Sequence, residues 1–143
     1  MRSLLDLRWL VPLLLVALSW PSHAAEVTGL RVWSSPDSTR VVLDLSAATP
    51  HRVFSLESPH RFVIDLSNAE VALLANIPTP RGLVAGIRTA ARPGGDLRVV
   101  LDLTQAVAAN IFPLDPNDIY GHRVVVDLSP ITSEPVITRS APL

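Results

Sequence analysis

An arginine, three β-favouring apolar residues, an aspartate, a leucine and a serine or threonine recur four times in this chain. The copies read TRVVLDLS at 39–46, HRFVIDLS at 60–67, LRVVLDLT at 97–104 and HRVVVDLS at 122–129. Segments this short and this rich in Val, Ile and Leu are β-strand signals. In the first copy Val41, Leu43 and Leu45 share one face, and Arg40, Val42, Asp44 and Ser46 share the other. The other three copies split the same way, so each strand brings one wholly apolar face that must be covered.

The copies group in pairs. Their aspartates, Asp44, Asp65, Asp102 and Asp127, are 21, 37 and 25 residues apart, and the flanking sequence repeats with them. Gly29-Leu30-Arg31 matches Gly86-Ile87-Arg88, and the turn at Pro36-Asp37-Ser38 matches Pro93-Gly94-Gly95-Asp96. Each half reads as four strands, about 27–33, 39–46, 51–57 and 60–66, then 84–91, 97–104, 108–114 and 122–128. The predicted fold is all-β: two four-stranded sheets from a tandem duplication, packed as a sandwich. Between the halves, Glu70 to Ala75 reads as one helical turn and 76–82 as a crossing linker.

The ends differ from this domain. Arg2 and Arg8 flank the start, Trp9 to Trp20 is a mostly apolar run, and Ser22-His23-Ala24 offers small residues at a cleavage site. Residues 1–24 therefore read as a secretory signal peptide, with an uncleaved anchor as the alternative. The run is short of the roughly 20 residues a membrane span needs, and Pro12 interrupts it. Cleavage would leave the β domain at 25–129 and a Pro/Ser/Thr linker or tail at 130–143, in the periplasm and with no membrane contact. Residues 25–143 hold ten arginines, no lysine and twelve acidic residues, a balance that gives no reason to expect a nucleic-acid partner. The chain has no cysteine, so core packing alone must hold it together and thiolate metal sites are excluded.

These features resemble the AMIN domain. The most specific residues are Val27-Thr28-Gly29-Leu30-Arg31-Val32 and Arg40-Val41-Val42-Leu43-Asp44-Leu45-Ser46, and the likeness spans roughly 26–129. AMIN domains precede the catalytic domain of many periplasmic N-acetylmuramoyl-L-alanine amidases and also occur in type IV pilus secretins. The resemblance implies a non-catalytic module that binds peptidoglycan and targets an amidase to the wall or division site. The alternative it implies is a protein-interaction module of an envelope assembly such as a secretin. In the amidases a zinc hydrolase domain would follow the linker. This chain stops at Leu143, which leaves a fragment of a longer amidase and a separate targeting module as the two readings.

No residue set here looks catalytic, and no cofactor is expected. His51, His60 and His122 lack the close spacing of zinc motifs, and no serine sits on a G-x-S-x-G elbow. The contest is over the repeated charges. Arg40 and Asp44 lie about 13 Å apart along one strand and cannot pair with each other. Antiparallel neighbours bring an Arg beside an Asp of another copy, which makes a cross-strand ion ladder the bland reading. The functional reading puts part of this face on the wall polymer, with arginine forks for stem-peptide carboxylates and Asp, Ser and Thr for glycan hydroxyls. The candidate ligand residues are Arg31, Trp33 and Arg88, then Arg40, Asp44, Arg98 and Asp102. Arg31 and Arg88 lead because they are equivalent in the two halves. Trp33 shares a face with Arg31 and suits either sugar stacking or packing over a sheet edge. Tyr120 reads as a packing aromatic.

Overall fold

The computed structural model describes residues 23–131, and no helix forms among them. Residues 1–22 of the signal-peptide reading (1–24) and 132–143 of the linker reading (130–143) lie outside the described residues, and Pro130, where the linker reading begins, ends the last strand. Nine strands form: β1 Ala25–Ser34, β2 Thr39–Leu45, β3 His51–Leu56, β4 Arg61–Leu66, β5 Ala69–Asn76, β6 Val84–Ala91, β7 Leu97–Leu103, β8 Val107–Leu114 and β9 His122–Pro130. Eight are the strands the duplication predicts. β5 replaces the expected helical turn.

The strands build a five-stranded sheet, β5-β1-β2-β9-β8, and a four-stranded sheet, β3-β4-β7-β6. Each half gives one hairpin to each sheet, so the two halves interleave. The four repeated phrases become the central strands, β2 beside β9 and β4 beside β7. Their charge spacing accounts for the antiparallel register of each pair. Two R-x-x-x-D segments laid antiparallel set Arg opposite Asp at both ends and valine opposite valine between them. The register does so: Arg40 faces Asp127, Val42 faces Val125 and Asp44 faces Arg123. In the other sheet Arg61 faces Asp102, Val63 faces Val100 and Asp65 faces Arg98. A one-residue slip would turn the apolar set outward, so burial fixes the same register.

The core lies between the sheets. Leu30, Leu43, Ile64, Leu66, Leu101 and Leu128 are its largest fully buried side chains. Burying one such side chain is worth roughly 1.5–3 kcal/mol, so these central strands hold the sandwich closed. Their outward valines Val42, Val63 and Val125 are also buried, beneath the charged side chains around them.

β5 is a strand because of its partners. Ala25, Glu26 and Val27 of β1 pair parallel with Ala69, Glu70 and Val71, and the pairing resumes only at Gly29 with Asn76. Residues 72–75 are thereby looped out opposite Thr28 alone, leaving Leu73 and Leu74 99% and 92% exposed. Ala, Leu and Glu favour helix intrinsically, and the edge of β1 overrides that preference. The linker then returns to the sandwich at Gly82, whose φ is +63° and where a Cβ would collide with Ser34 and Thr39. There the buried Thr39 hydroxyl accepts the Leu83 N–H at 2.9 Å.

Candidate functional site

Alternation on β1, β2, β9 and β8 sends one set of side chains to the outside of the five-stranded sheet. From β1 to β8, one row across this face is Trp33, Arg40, Asp127 and Asn110, and the next is Arg31, Val42, Val125 and Phe112. The other sheet carries the matching row Arg88, Val100, Val63 and Phe54. The two outer faces are thus pseudo-equivalent, and the duplication is visible side chain by side chain.

Both faces carry the ion ladder. Arg40 holds Asp127 bidentately, with Nε to Oδ1 at 2.6 Å and Nη2 to Oδ2 at 2.8 Å. Arg98 holds Asp65 in the same way at 2.7 and 2.8 Å. At the other end of each pair the aspartate is taken by the neighbouring strand. Arg31 binds Asp44 at 2.8 and 2.6 Å, and Arg88 binds Asp102 at 2.8 and 2.7 Å. Arg123 and Arg61, which face those aspartates in register, donate instead to the carbonyls of Gly121 and Pro59. Arg40 and Asp44 do not pair with each other, as the strand geometry requires.

These pairs set the titration of their members. Hydrogen bonds from Arg98 hold the Asp65 carboxyl below the usual carboxylate range, against a smaller opposing effect of burial. Arg88 and Arg40 lower Asp102 and Asp127 in the same manner. The Arg31 guanidinium is raised above its ordinary value, first by its hydrogen bonds to Asp44. Each bidentate arginine commits two of its five N–H donors to aspartate, which leaves three outside that contact.

The faces differ in their aromatics. On the five-stranded sheet the Arg31 guanidinium lies over two rings, 5.3 Å from the Trp33 centroid and 4.8 Å from that of Tyr120. Arg123 approaches the Tyr120 ring at 5.1 Å. Trp33 remains 50% exposed and Tyr120 43%. Across Arg40 from Trp33 runs an open groove of about 370 Å³, lined by Arg40, Ala108, Asn110, Asp127, Leu128 and Ser129 among others. On the opposite face Ala90 stands where Trp33 would be, and Arg52 stands where Asn110 would be. Arg52 adds a second cation to Asp65 at 3.5 Å. Phe54 packs under Arg98 and Arg52 at 5.3 and 5.9 Å.

This face is therefore a platform of exposed aromatic surface, oriented guanidinium groups and short polar side chains around a groove. It suits a flat, hydroxyl-rich ligand. Among the described residues no group of three or more His, Asp or Glu is gathered to hold a metal ion.

The chain matches the AMIN domain over residues 29–129. It belongs to the AMIN domain family. It is also 34% identical over 117 residues to N-acetylmuramoyl-L-alanine amidase AmiC of Neisseria meningitidis serogroup B (strain ATCC BAA-335 / MC58), covering 76% of this chain and 27% of the relative. The chain thus spans about a quarter of that amidase's length.

Within this AMIN domain the structure gathers Arg31, Trp33, Arg40 and Asp44 on one outer face. It puts Arg88, Arg98 and Asp102 on the other, so the seven sequence-nominated residues form two groups. Sequence reasoning passed over Asn110 and Phe112 and read Tyr120 as a packing aromatic. The first two carry a readable signal, since β8 alternation sets them on the face of Arg40. Tyr120 carries none, because it sits in the β8–β9 loop. There the Asn117 carboxamide accepts the Ile119 and Tyr120 N–H groups at 3.0 and 2.8 Å and turns the ring onto Arg31.

Proposed function

We propose that this AMIN domain is a non-catalytic peptidoglycan-binding module that targets a cell-wall N-acetylmuramoyl-L-alanine amidase to the wall of the periplasm. The glycan would lie on the outer face of the five-stranded sheet. The observation that carries this reading is Trp33, half exposed, in line with Arg40, Asp127 and Asn110, the last three of which line an open groove. A sugar ring stacked on the indole sets its hydroxyl and acetamido groups over carboxylate, carboxamide and guanidinium partners. Family membership and the likeness to an amidase support the wall as the source of that sugar. Arg31 and Arg40 contribute through their three remaining N–H donors, because their forks are already closed on Asp44 and Asp127.

The test is co-sedimentation of purified residues 25–143, which contain the whole sandwich, with isolated sacculi at low and moderate salt. The expected result is pelleting at both, with strong loss in Trp33→Ala and Asn110→Ala and little loss in Arg88→Ala on the opposite face. Absence of pelleting at either salt would overturn the reading.

One observation favours a second reading, a protein-interaction module in an envelope assembly. Leu73 and Leu74 project side by side from β5 with almost no covering. If those leucines rather than the Trp33 face carry function, Leu73→Ser/Leu74→Ser abolishes capture of an envelope partner and sacculus binding is absent.

A further inference from the structure

The pseudo-symmetry leaves one end of the sandwich incomplete. Where β2 and β3 meet the β8–β9 hairpin, an open cleft of about 560 Å³ is lined by Leu45, Pro50, Leu114, His122 and Arg123 among others. At the opposite end its counterpart encloses only about 190 Å³. Five positions correspond through the duplication: Leu45 to Leu103, Ala48 to Ala106, Leu114 to Leu56, His122 to His60 and Arg123 to Arg61. The smaller cleft has one wall the larger one lacks. That wall is Ile131, reached as the chain continues straight past Pro130, with its N–H directed to Ala106 O at 3.4 Å.

The equivalent position in the first half is Ala69, and it goes elsewhere. Asn68 adopts a positive φ of 45° and turns the chain into β5. The Ala69 N–H then donates to Gly95 O, and Ala69 is buried beside β1. The larger cleft thus keeps the lining that accepts a proline-aliphatic segment but receives none from its own half.

We propose that this cleft accepts residues Pro135-Val136-Ile137 from the tail of a second copy of the chain. The tail carries a similar proline-aliphatic segment: Ile131, following Pro130, walls the smaller cleft, and at 135–137 proline is again followed by aliphatic residues, Pro135-Val136-Ile137. Its flanking charges are complementary to the cleft, with Glu134 for Arg123 and His122, and Arg139 for Asp115. The same chain's tail does not reach. Ile137 is six residues beyond Ile131, at most about 22 Å of extended chain. Arg123 lies eight residues back along β9, about 26 Å away at strand rise, before any path around the domain. Two copies exchanging tails reciprocally close a dimer with two identical contacts. This inference is independent of the wall-binding face, which lies on the outside of the sheet.

Sedimentation equilibrium of residues 25–143 tests it, with a cleft variant, Leu114→Asp, and a tail variant, Val136→Asp/Ile137→Asp. Leu114 is partly exposed at a strand end, so both variants are expected to keep the wild-type thermal midpoint, checked by circular dichroism. The wild type is expected to pass from monomer towards dimer mass as concentration rises to about 1 mM. Each variant alone remains monomeric. An equimolar mixture of the two regains association, because one intact cleft meets one intact tail. A wild type that is monomeric throughout overturns the proposal. So does association that survives in both variants, or a mixture that associates no more than its components.

Discussion

Arg40 and Asp127 are 87 residues apart in the chain and face each other across the seam between the two halves, Nε to Oδ1 at 2.6 Å. The pair closes one end of a duplicated R-x-x-x-D register, and Arg98 with Asp65 closes the matching end in the other sheet. The ladder therefore does two things at once. It fixes the orientation and register of the strands that meet, because only antiparallel pairing of these phrases sets opposite charges face to face. It also leaves oriented N–H donors on the surface where a ligand would lie.

The two seams should differ in their contribution to stability. Arg40 and Asp127 are well exposed, and such pairs are worth about 0–1 kcal/mol in water. Asp65 has only 14% of its side chain exposed and accepts from two arginines. Asp65→Asn is expected to cost about 1–3 kcal/mol, because the arginines around it lose a charged acceptor. Asp127→Asn is expected to cost less than about 1 kcal/mol. Urea denaturation of both variants checks the order, and equal losses would contradict it.

Acid should weaken the fold through the same aspartates. Asp65, Asp102 and Asp127 are held below their ordinary values by Arg98, Arg88 and Arg40. A carboxyl lowered on folding binds protons less readily in the native state than in the unfolded one. Its contribution is fully present above the unfolded value, about 3.9, and is lost as the pH falls below that through the folded value. Thermal midpoints are expected to be flat from pH 5 to 7 in respect of these groups and to fall below about pH 4. Asp65→Asn should make that fall shallower. A midpoint whose acid slope is unchanged by the substitution would show that Asp65 does not drive it.

Gly86 tests how tightly the second ladder is built. A Cβ at this position would stand 2.9 Å from Asp102 Oδ2, and the bulge at Val84 to Gly86 brings the backbone there. Gly86→Ala is expected to push the Asp102 carboxylate off Arg88, so its pKa moves back up towards the ordinary range. Carboxyl-detected NMR titration reads this directly. The equivalent Gly29 has no such neighbour and meets only Asn76 backbone at 3.8 Å. Gly29→Ala should leave the Arg31–Asp44 pair undisturbed and the Asp102 titration as it is in the wild type.

How much of this was legible follows from what each feature depends on. The eight repeated strands and their buried faces could be read because alternation is local and the phrase occurs four times. That the sheets each draw one hairpin from each half could not be read from strand positions. It depends on which copies pair, a long-range choice that four phrases with the same charge spacing leave open. β5 was missed because Glu70 to Ala75 carries helix-favouring residues and no alternation, and its strand state comes from the edge of β1. On the surface, Trp33 and Arg31 were readable as face-mates by spacing of two. Tyr120 joins them only through the Asn117 turn, which no periodicity announces.

The aromatic half of the platform gives the sharpest test, because Trp33 is the only tryptophan of residues 25–143. Its emission therefore reports the proposed contact and nothing else in that piece. Its indole is half exposed and its neighbour Arg31 is fixed by Asp44 and Tyr120. Soluble glycan fragments of peptidoglycan are expected to shift the emission to the blue and to saturate. Tyr120→Ala removes the second ring that Arg31 lies over and is expected to weaken the fragments several-fold, whereas Tyr120→Phe keeps the ring face and nearly all the affinity. Because stacking on an indole does not depend on ion pairing, raising the salt should change the affinity little. A titration whose emission never moves, or whose affinity collapses with salt, would shift the binding role from Trp33 to the charged ladder or away from this face.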